Sequence, residues 1–291
     1  MDEAEAWIRA HVDPAGPIKL VHERPWGTVW RVQVVGGVVW FKACAPVQAF
    51  EPRLTAALAA RWSDRLPVVL AHDEERAWLL LADAGERLGV FGSPEPWLSI
   101  LPRYAELQRG EAAHLSEHLA GGVADRRLAA FPALYEALLA RELPLASGGL
   151  ACLRAFAPRF AELCAELAAH GIPETIQHDD LHGNNVYVRE DATRILDWGD
   201  SCVSHPFLTA FVTFLHLDEL TTSWRARLRD AYLEPWGPGL TETFARALRV
   251  GAFAHTVAWG RQRNHLPDDA RRRFDQVFPI VLRRALARTR S

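Results

Sequence analysis

Apolar and polar residues alternate with a period of two through the first third of the chain. Between Thr28 and Val35, Trp30, Val32 and Val34 alternate with Arg31 and Gln33, the pattern of a strand buried on one face. Ile18–Glu23 reads as a short strand before it and Val38–Ala43 as one after it. Gly36–Gly37 lies between the last two and predicts a hairpin turn with positive φ at both positions. Pro67–Ala71 and Trp78–Leu81 read as two more strands around the polar turn His72–Arg76. Helical periodicity enters at Pro52–Trp62, where Leu54, Leu58 and Trp62 recur every fourth residue and Pro52 suits the first turn. From about Pro94 the chain turns helical. In Leu150–His170, Leu153, Phe156, Phe160, Leu163 and Leu167 form one apolar stripe, which predicts a single helix ended by Gly171 and Pro173. Asp268–Ser291 reads as a final helix, with Phe274, Val277, Phe278 and Val281 inside and its arginines solvated. Strands therefore come first and helices after. This is the α+β pattern of a small antiparallel-sheet lobe, residues 1–83, and a larger helical lobe, residues 84–291, hinged at Ala82–Gly85. A cleft between two such lobes is the expected ligand site.

Composition narrows the function without naming it. An apolar content of 49% is enough for a sizeable core, and 24% charged residues is ordinary for a globular chain. A net charge of −3, from 33 basic and 36 acidic side chains, argues against a nucleic-acid binder held mainly by phosphate contacts. Cys44, Cys152, Cys164 and Cys202 form no C-x-x-C pair, so the expectation is reduced thiols in a cytoplasmic protein. Met1–Ala10 carries three acids and no long apolar run, which does not read as a signal peptide. Cys202–Leu217, the longest uncharged run in the second half, is too short and too polar to span a bilayer, so no membrane partner is expected.

The chemistry concentrates in Ile176–Ser201. Two short apolar strands, Val186–Val188 and Arg194–Leu196, flank a polar turn; His178-Asp179-Asp180 and Asn184-Asn185 precede the first and Asp197 follows the second. A hairpin bordered in this way carries Asp180, Asn185 and Asp197 toward one rim. Carboxylate and amide oxygens suit magnesium, and phosphoryl transfer needs a group to accept the proton of an attacking hydroxyl. Asp180 is the candidate base; Asn185 and Asp197 are candidate metal ligands.

The segment resembles the catalytic core of the aminoglycoside phosphotransferase and choline kinase group. That group uses an H-x-D-x-x-x-x-N loop, a short hairpin and a D-x-x turn, matched here by His178, Asp180 and Asn185 and by Asp197-Trp198-Gly199. The resemblance implies a two-lobed protein-kinase-like fold. It also implies an ATP- and magnesium-dependent enzyme that moves the γ-phosphate to a hydroxyl of a small molecule, aminoglycoside-, sugar- or amino-alcohol-like. Asp180 is then the catalytic base, and Asn185 and Asp197 hold Mg²⁺. Lys42 looks like the lysine that holds the α- and β-phosphates, and Glu51 like its helix partner. Pro25-Trp26-Gly27-Thr28 is similar to the phosphate-covering turn. Ala82-Asp83-Ala84 sits where the hinge contacts adenine through its backbone. His178 is expected to orient the loop. His182 is a secondary candidate for acceptor or nucleotide, and Asp200 for metal or acceptor. Asp218-Glu219 reads as a solvated helix end, with a cationic acceptor as the alternative. The chain departs from the group's pattern at Asp179, where many relatives have Gly, and at His205-Pro206, where many antibiotic kinases have Asp-Pro. Pro52 also puts Glu51 at the edge of its helix.

Two other classes remain to be weighed. A non-catalytic nucleotide-binding module would have lost the base or a metal ligand, and all three are present. A metal-dependent hydrolase built on His178, Asp180 and His182 lacks the H-E-x-x-H spacing.

Overall fold

The alternating segments become β1 (Pro14–Arg24), β2 (Gly27–Val34), β3 (Gly37–Cys44), β4 (Val69–Asp73) and β5 (Trp78–Ala82) in a computed structural model, which describes residues 2–89, 92–190, 192–217 and 220–289. They form one antiparallel sheet in the order β1-β2-β3-β5-β4. Alternation fixes its two faces. Val39 and Phe41 of β3 join Val32 and Leu80 in an apolar cluster, so Val38, Trp40 and Lys42 are directed to the opposite face. The β2–β3 turn differs from the sequence reading by one residue: Val34 pairs with Gly37, and only Gly36 takes a positive φ, +83°. Gly37 is already in the strand, so one left-handed position is enough.

A helix that the period-two reading passed over, α1 (Asp2–His11), covers the cluster with Ile8, which is buried, and Trp7. Its signal is present in the sequence as Ala4, Trp7, Ile8 and His11, an i, i+3, i+4, i+7 set. Next comes α2 (Glu51–Arg61), which buries Leu54 and Leu58 as read. The strands β6 (Val186–Arg189) and β7 (Ala192–Ile195) form the expected hairpin.

Contacts divide the chain into two units, Met1–Gly89 with Gly183–Asp200, and Val90–His182 with Ser201–Ser291. The first unit thus differs from the expected 1–83 segment, because the β6–β7 hairpin belongs with it. Backbone pairing explains this: Glu86 pairs with Val188, Arg87 with Tyr187, and the Ile195 N–H donates to the Arg65 carbonyl at 2.9 Å.

The second unit is mostly helical. α3 (Trp97–Glu111) buries Ile100, Leu101, Tyr104, Leu107 and Gln108 along one stripe. The helix Thr241–Asn264 buries residues along most of its length. The single helix expected over Leu150–His170 is instead two, Ser147–Ala155 and Ala157–Ala168. Pro158 is the cause: proline lacks an N–H and its ring clashes with the preceding turn, but it suits a helix start. Pro279 has the same effect in the tail, where Asp268–Phe274 and Phe278–Arg288 are separate and Val277 is exposed. Gly171 ends the Ala157–Ala168 segment at φ +70°, as read. A small sheet completes the unit: Cys202–Ser204 pairs antiparallel with Thr175–Gln177 and parallel with Ala124–Asp125.

Candidate active site

In the first unit, three of the predicted residues meet. The Lys42 ammonium lies 2.6 Å from Glu51 Oε2 and 2.5 Å from Asp197 Oδ1. Strand alternation aims Lys42 away from the core, and Glu51, as the first residue of α2, reaches it from the helix edge. Pro52 therefore does not prevent the pair, because a first-turn residue projects toward the chain that precedes the helix. Burial opposes the charge on Lys42, but the two carboxylates outweigh it and hold the ammonium well above the usual lysine range. Burial pushes Glu51 up, against the pull of Lys42. The Cys44 thiol donates to Glu51 Oε2 at 3.3 Å, and burial raises it as well.

Asp197 is 49% exposed, whereas Glu51 is 1% exposed, so Asp197 alone of the two can serve a hydrated ion. Its φ is +65°, a left-handed conformation that costs a non-glycine residue energy. Asn185 is the neighbouring rung, since the Leu196 N–H donates to the Asn185 carbonyl at 2.9 Å. Trp198, fully buried, donates its indole N–H to the Ile195 carbonyl at 3.1 Å and anchors the turn. Gly27 opens β2 opposite Cys44, next to Lys42. In the segment expected to contact adenine, Ala82 pairs with Val39, Ala84 is buried, and Asp83 accepts from Trp40 Nε1 at 3.0 Å and from Arg189.

In the second unit the loop from His178 to His182 is held by neutral hydrogen-bonding groups and by one buried ion pair. His178 is buried, its N–H donates to the Tyr104 hydroxyl at 2.9 Å, and its Nδ1 accepts the Asp180 N–H at 3.4 Å. The Asp180 carboxylate is 37% exposed and lies 3.3 Å from His182 Nε2. The His182 ring packs on His216 at 4.7 Å. Asp179, with φ +62°, occupies a conformation that glycine adopts freely, which fits the departure at this position. Its carboxylate meets Arg126 in a buried ion pair, and burial raises it to about 6 against the pull of that arginine.

Sequence reasoning missed the frame behind this loop. Gln108 Nε2 donates to the Tyr104 hydroxyl and to the carbonyls of Ile176 and Pro206 at 3.2–3.3 Å, while Tyr232 donates to Gln108 Oε1 at 2.6 Å. The available signal was polar Tyr104 and Gln108 on the apolar stripe of α3. His205 caps the turn Pro206–Leu208 by accepting the Phe207 N–H, and burial lowers it to about 3, so it is neutral. The Asp218-Glu219 pair lies outside the described residues.

Among the described residues, no three or more His, Cys, Asp and Glu side chains are placed to hold a metal ion together. The H-x-D-x-H spacing thus builds no zinc-type centre. A carboxylate and an amide, with water and phosphate oxygens completing the shell, is the sparse donor set that magnesium takes. The half-exposed Asp197 fits it, and Asn185, which is buried, stands on the adjoining rung of the hairpin as the candidate amide donor.

Comparison with known proteins adds the family. Residues 38–248 match the model of the phosphotransferase enzyme family, abbreviated APH. The chain belongs to that family. No curated protein matches it by sequence. Among solved structures, this phosphotransferase is similar to a choline/ethanolamine kinase family protein from Mesorhizobium loti, with TM-score 0.63, 20% identity and coverage of 99% of this chain and 98% of that one. It is similar to macrolide 2'-phosphotransferase MphH from Brachybacterium faecium, with TM-score 0.66, 15% identity and coverage of 97% and 96%. It is also similar to APH(2")-IIia in complex with GDP and kanamycin, with TM-score 0.65, 14% identity and coverage of 100% and 99%. At these identities the likeness establishes the fold, which is protein-kinase-like. No helix among the described residues is long and apolar enough to cross a membrane.

Proposed function

We propose that this phosphotransferase moves the γ-phosphoryl group of ATP, with magnesium, onto a hydroxyl of a small molecule that is aminoglycoside-, sugar- or amino-alcohol-like. The observation that carries the proposal is the Lys42 ammonium clamped between Glu51 and Asp197. A lysine fixed in this way is a point charge for nucleotide phosphates. Nucleotide is assigned to the N-terminal lobe, with Lys42 on the α- and β-phosphates, Gly27 in the covering turn, and the Ala82 and Ala84 backbone on adenine. Acceptor is assigned to the helical lobe. Asp180 accepts the proton of the acceptor hydroxyl, the oxygen attacks the γ-phosphorus, and the bond to the β–γ bridging oxygen breaks to release ADP. Asn185 and Asp197 would hold Mg²⁺, which supplies neutralisation of phosphate charge. All four cysteines are free, which supports a cytoplasmic setting.

The test is an ADP-release screen with ATP and magnesium against kanamycin, choline, simple sugars and a macrolide. Acceptor-stimulated ADP release that vanishes in Asp180→Ala is the expected result. Stimulated release that survives in Asp180→Ala would overturn the assignment of the base.

A further inference from the structure

We infer that Gln48 is a positioning residue that sets the Asp197–Asp200 turn for metal–nucleotide binding; this rests on the phosphotransferase reading above. Gln48 ends the short helical segment Pro46–Gln48, between β3, which carries Lys42, and α2, which carries Glu51. It is 2% exposed. Its Nε2 donates to Asp200 Oδ1 at 3.2 Å. That bond settles the amide's orientation, because a carboxylate only accepts. The other end, Oε1, is buried with no hydrogen-bond partner among the described residues.

A buried carbonyl oxygen without a donor is destabilising, and a methionine of similar length would remove that cost. The amide's one described hydrogen bond is the N–H donated to Asp200. What it holds is the far end of the turn that begins at Asp197. The turn backbone is pressed onto the same two residues: a Cβ on Gly199 would lie 2.5 Å from Gln48 Cδ and 2.7 Å from Glu51 Oε2. A side chain there would push the ends of both buried side chains aside. Asp197 sits at φ +65°, a conformation that persists where its surroundings over-determine it. Trp198 anchors the turn on one side through Ile195, and Gln48 anchors it on the other through Asp200. Gln48 touches neither Lys42 nor Asp197 by any hydrogen bond described; it acts through the turn.

Calorimetry with ADP plus magnesium and with ADP plus EDTA tests this on wild type, Gln48→Met, Asp200→Ala and the double variant, alongside their melting temperatures. Gln48→Met is expected to melt no lower than wild type and to bind ADP in EDTA unchanged. In magnesium it is expected to lose about tenfold in affinity, the worth of a hydrogen bond to a charged group. Asp200→Ala should lose as much, and the double variant no more than the worse single one. If Gln48→Met fails to fold, Asp200→Ala breaks the same bond from the other side. Wild-type magnesium–ADP affinity in either folded variant overturns the inference, as does an equal loss in magnesium and in EDTA. Wild type without magnesium-dependent binding overturns the phosphotransferase reading, and the inference with it; that arm separates the two failures.

Discussion

Around Lys42 the N-terminal unit sets its site residues directly against one another as charges, whereas around Asp180 the helical unit hangs the loop on hydroxyl, imidazole and amide groups and places its buried ion pair, Arg126–Asp179, one residue from the base. Glu51 is 1% exposed and faces an ammonium at 2.6 Å. Asp180 is 37% exposed, and its loop hangs on Tyr104, His178 and Gln108. The difference teaches that the two regions fail differently. Removing one partner of a buried charge pair strands the other charge, which is costly to the fold. Removing the exposed base takes its carboxylate from His182 but leaves the hydrogen bonds among Tyr104, His178 and Gln108 in place, so the loss falls on chemistry.

Four tests would sharpen or break that contrast. The largest effect is expected from Asp180→Ala, a fall of about 10²–10⁴ in turnover with the melting temperature held, since a positioned acid or base is worth that much. A variant that melts far below wild type would erase the contrast. Next is Glu51→Ala, which leaves Lys42 half-paired in a buried site; denaturant unfolding should show a loss of about 3–5 kcal/mol. A change below about 1 kcal/mol, the worth of a surface pair, would place the cluster in solvent-like surroundings.

The third concerns acid. His255 is buried and held down to about 4, and His205 to about 3. Both folded values lie below the ordinary histidine value, so their contribution is complete above pH 6.5 and is lost as pH falls, because the unfolded chain takes up the proton first. For His255 alone the loss by pH 4 is roughly 3 kcal/mol. Asp179 has the opposite sign: raised to about 6, it contributes most below the usual aspartate value and loses that contribution as pH rises through 6. Unfolding measured from pH 7 to 4 should therefore slope less steeply in His255→Phe and more steeply in Asp179→Asn. Parallel curves for all three proteins would contradict these burial effects. The smallest effect is expected from Tyr104→Phe, which strips the acceptor from the His178 N–H and should cost about 1–3 kcal/mol in chemical denaturation. A neutral result would remove Tyr104 from the frame.

The sequence was most informative where a pattern is local. Alternation through Trp30, Val32 and Val34 located the sheet, and the spacing of His178, Asp180, Asn185 and Asp197 located the motif. It was less informative where a distant partner decides the outcome. The break at Pro158 is masked by an apolar stripe that continues across it from Leu153 to Leu167. Tyr104, Gln108 and Gln48 are polar residues whose role appears only once residues some 70–150 positions away close on them. The β6–β7 hairpin joins the first unit through pairing with Glu86–Arg87, which no periodicity announces. Lys42 and Glu51 could be matched to a pattern singly, but their meeting with Asp197 is a property of the fold.

The most direct measurement is calorimetric titration with ATP and with GTP, each in magnesium and in EDTA, on wild type and Asp197→Ala. Magnesium-dependent binding of ATP that disappears in Asp197→Ala is what the account predicts. Absence of nucleotide binding in wild type, or magnesium-dependent affinity unchanged in Asp197→Ala, would contradict it.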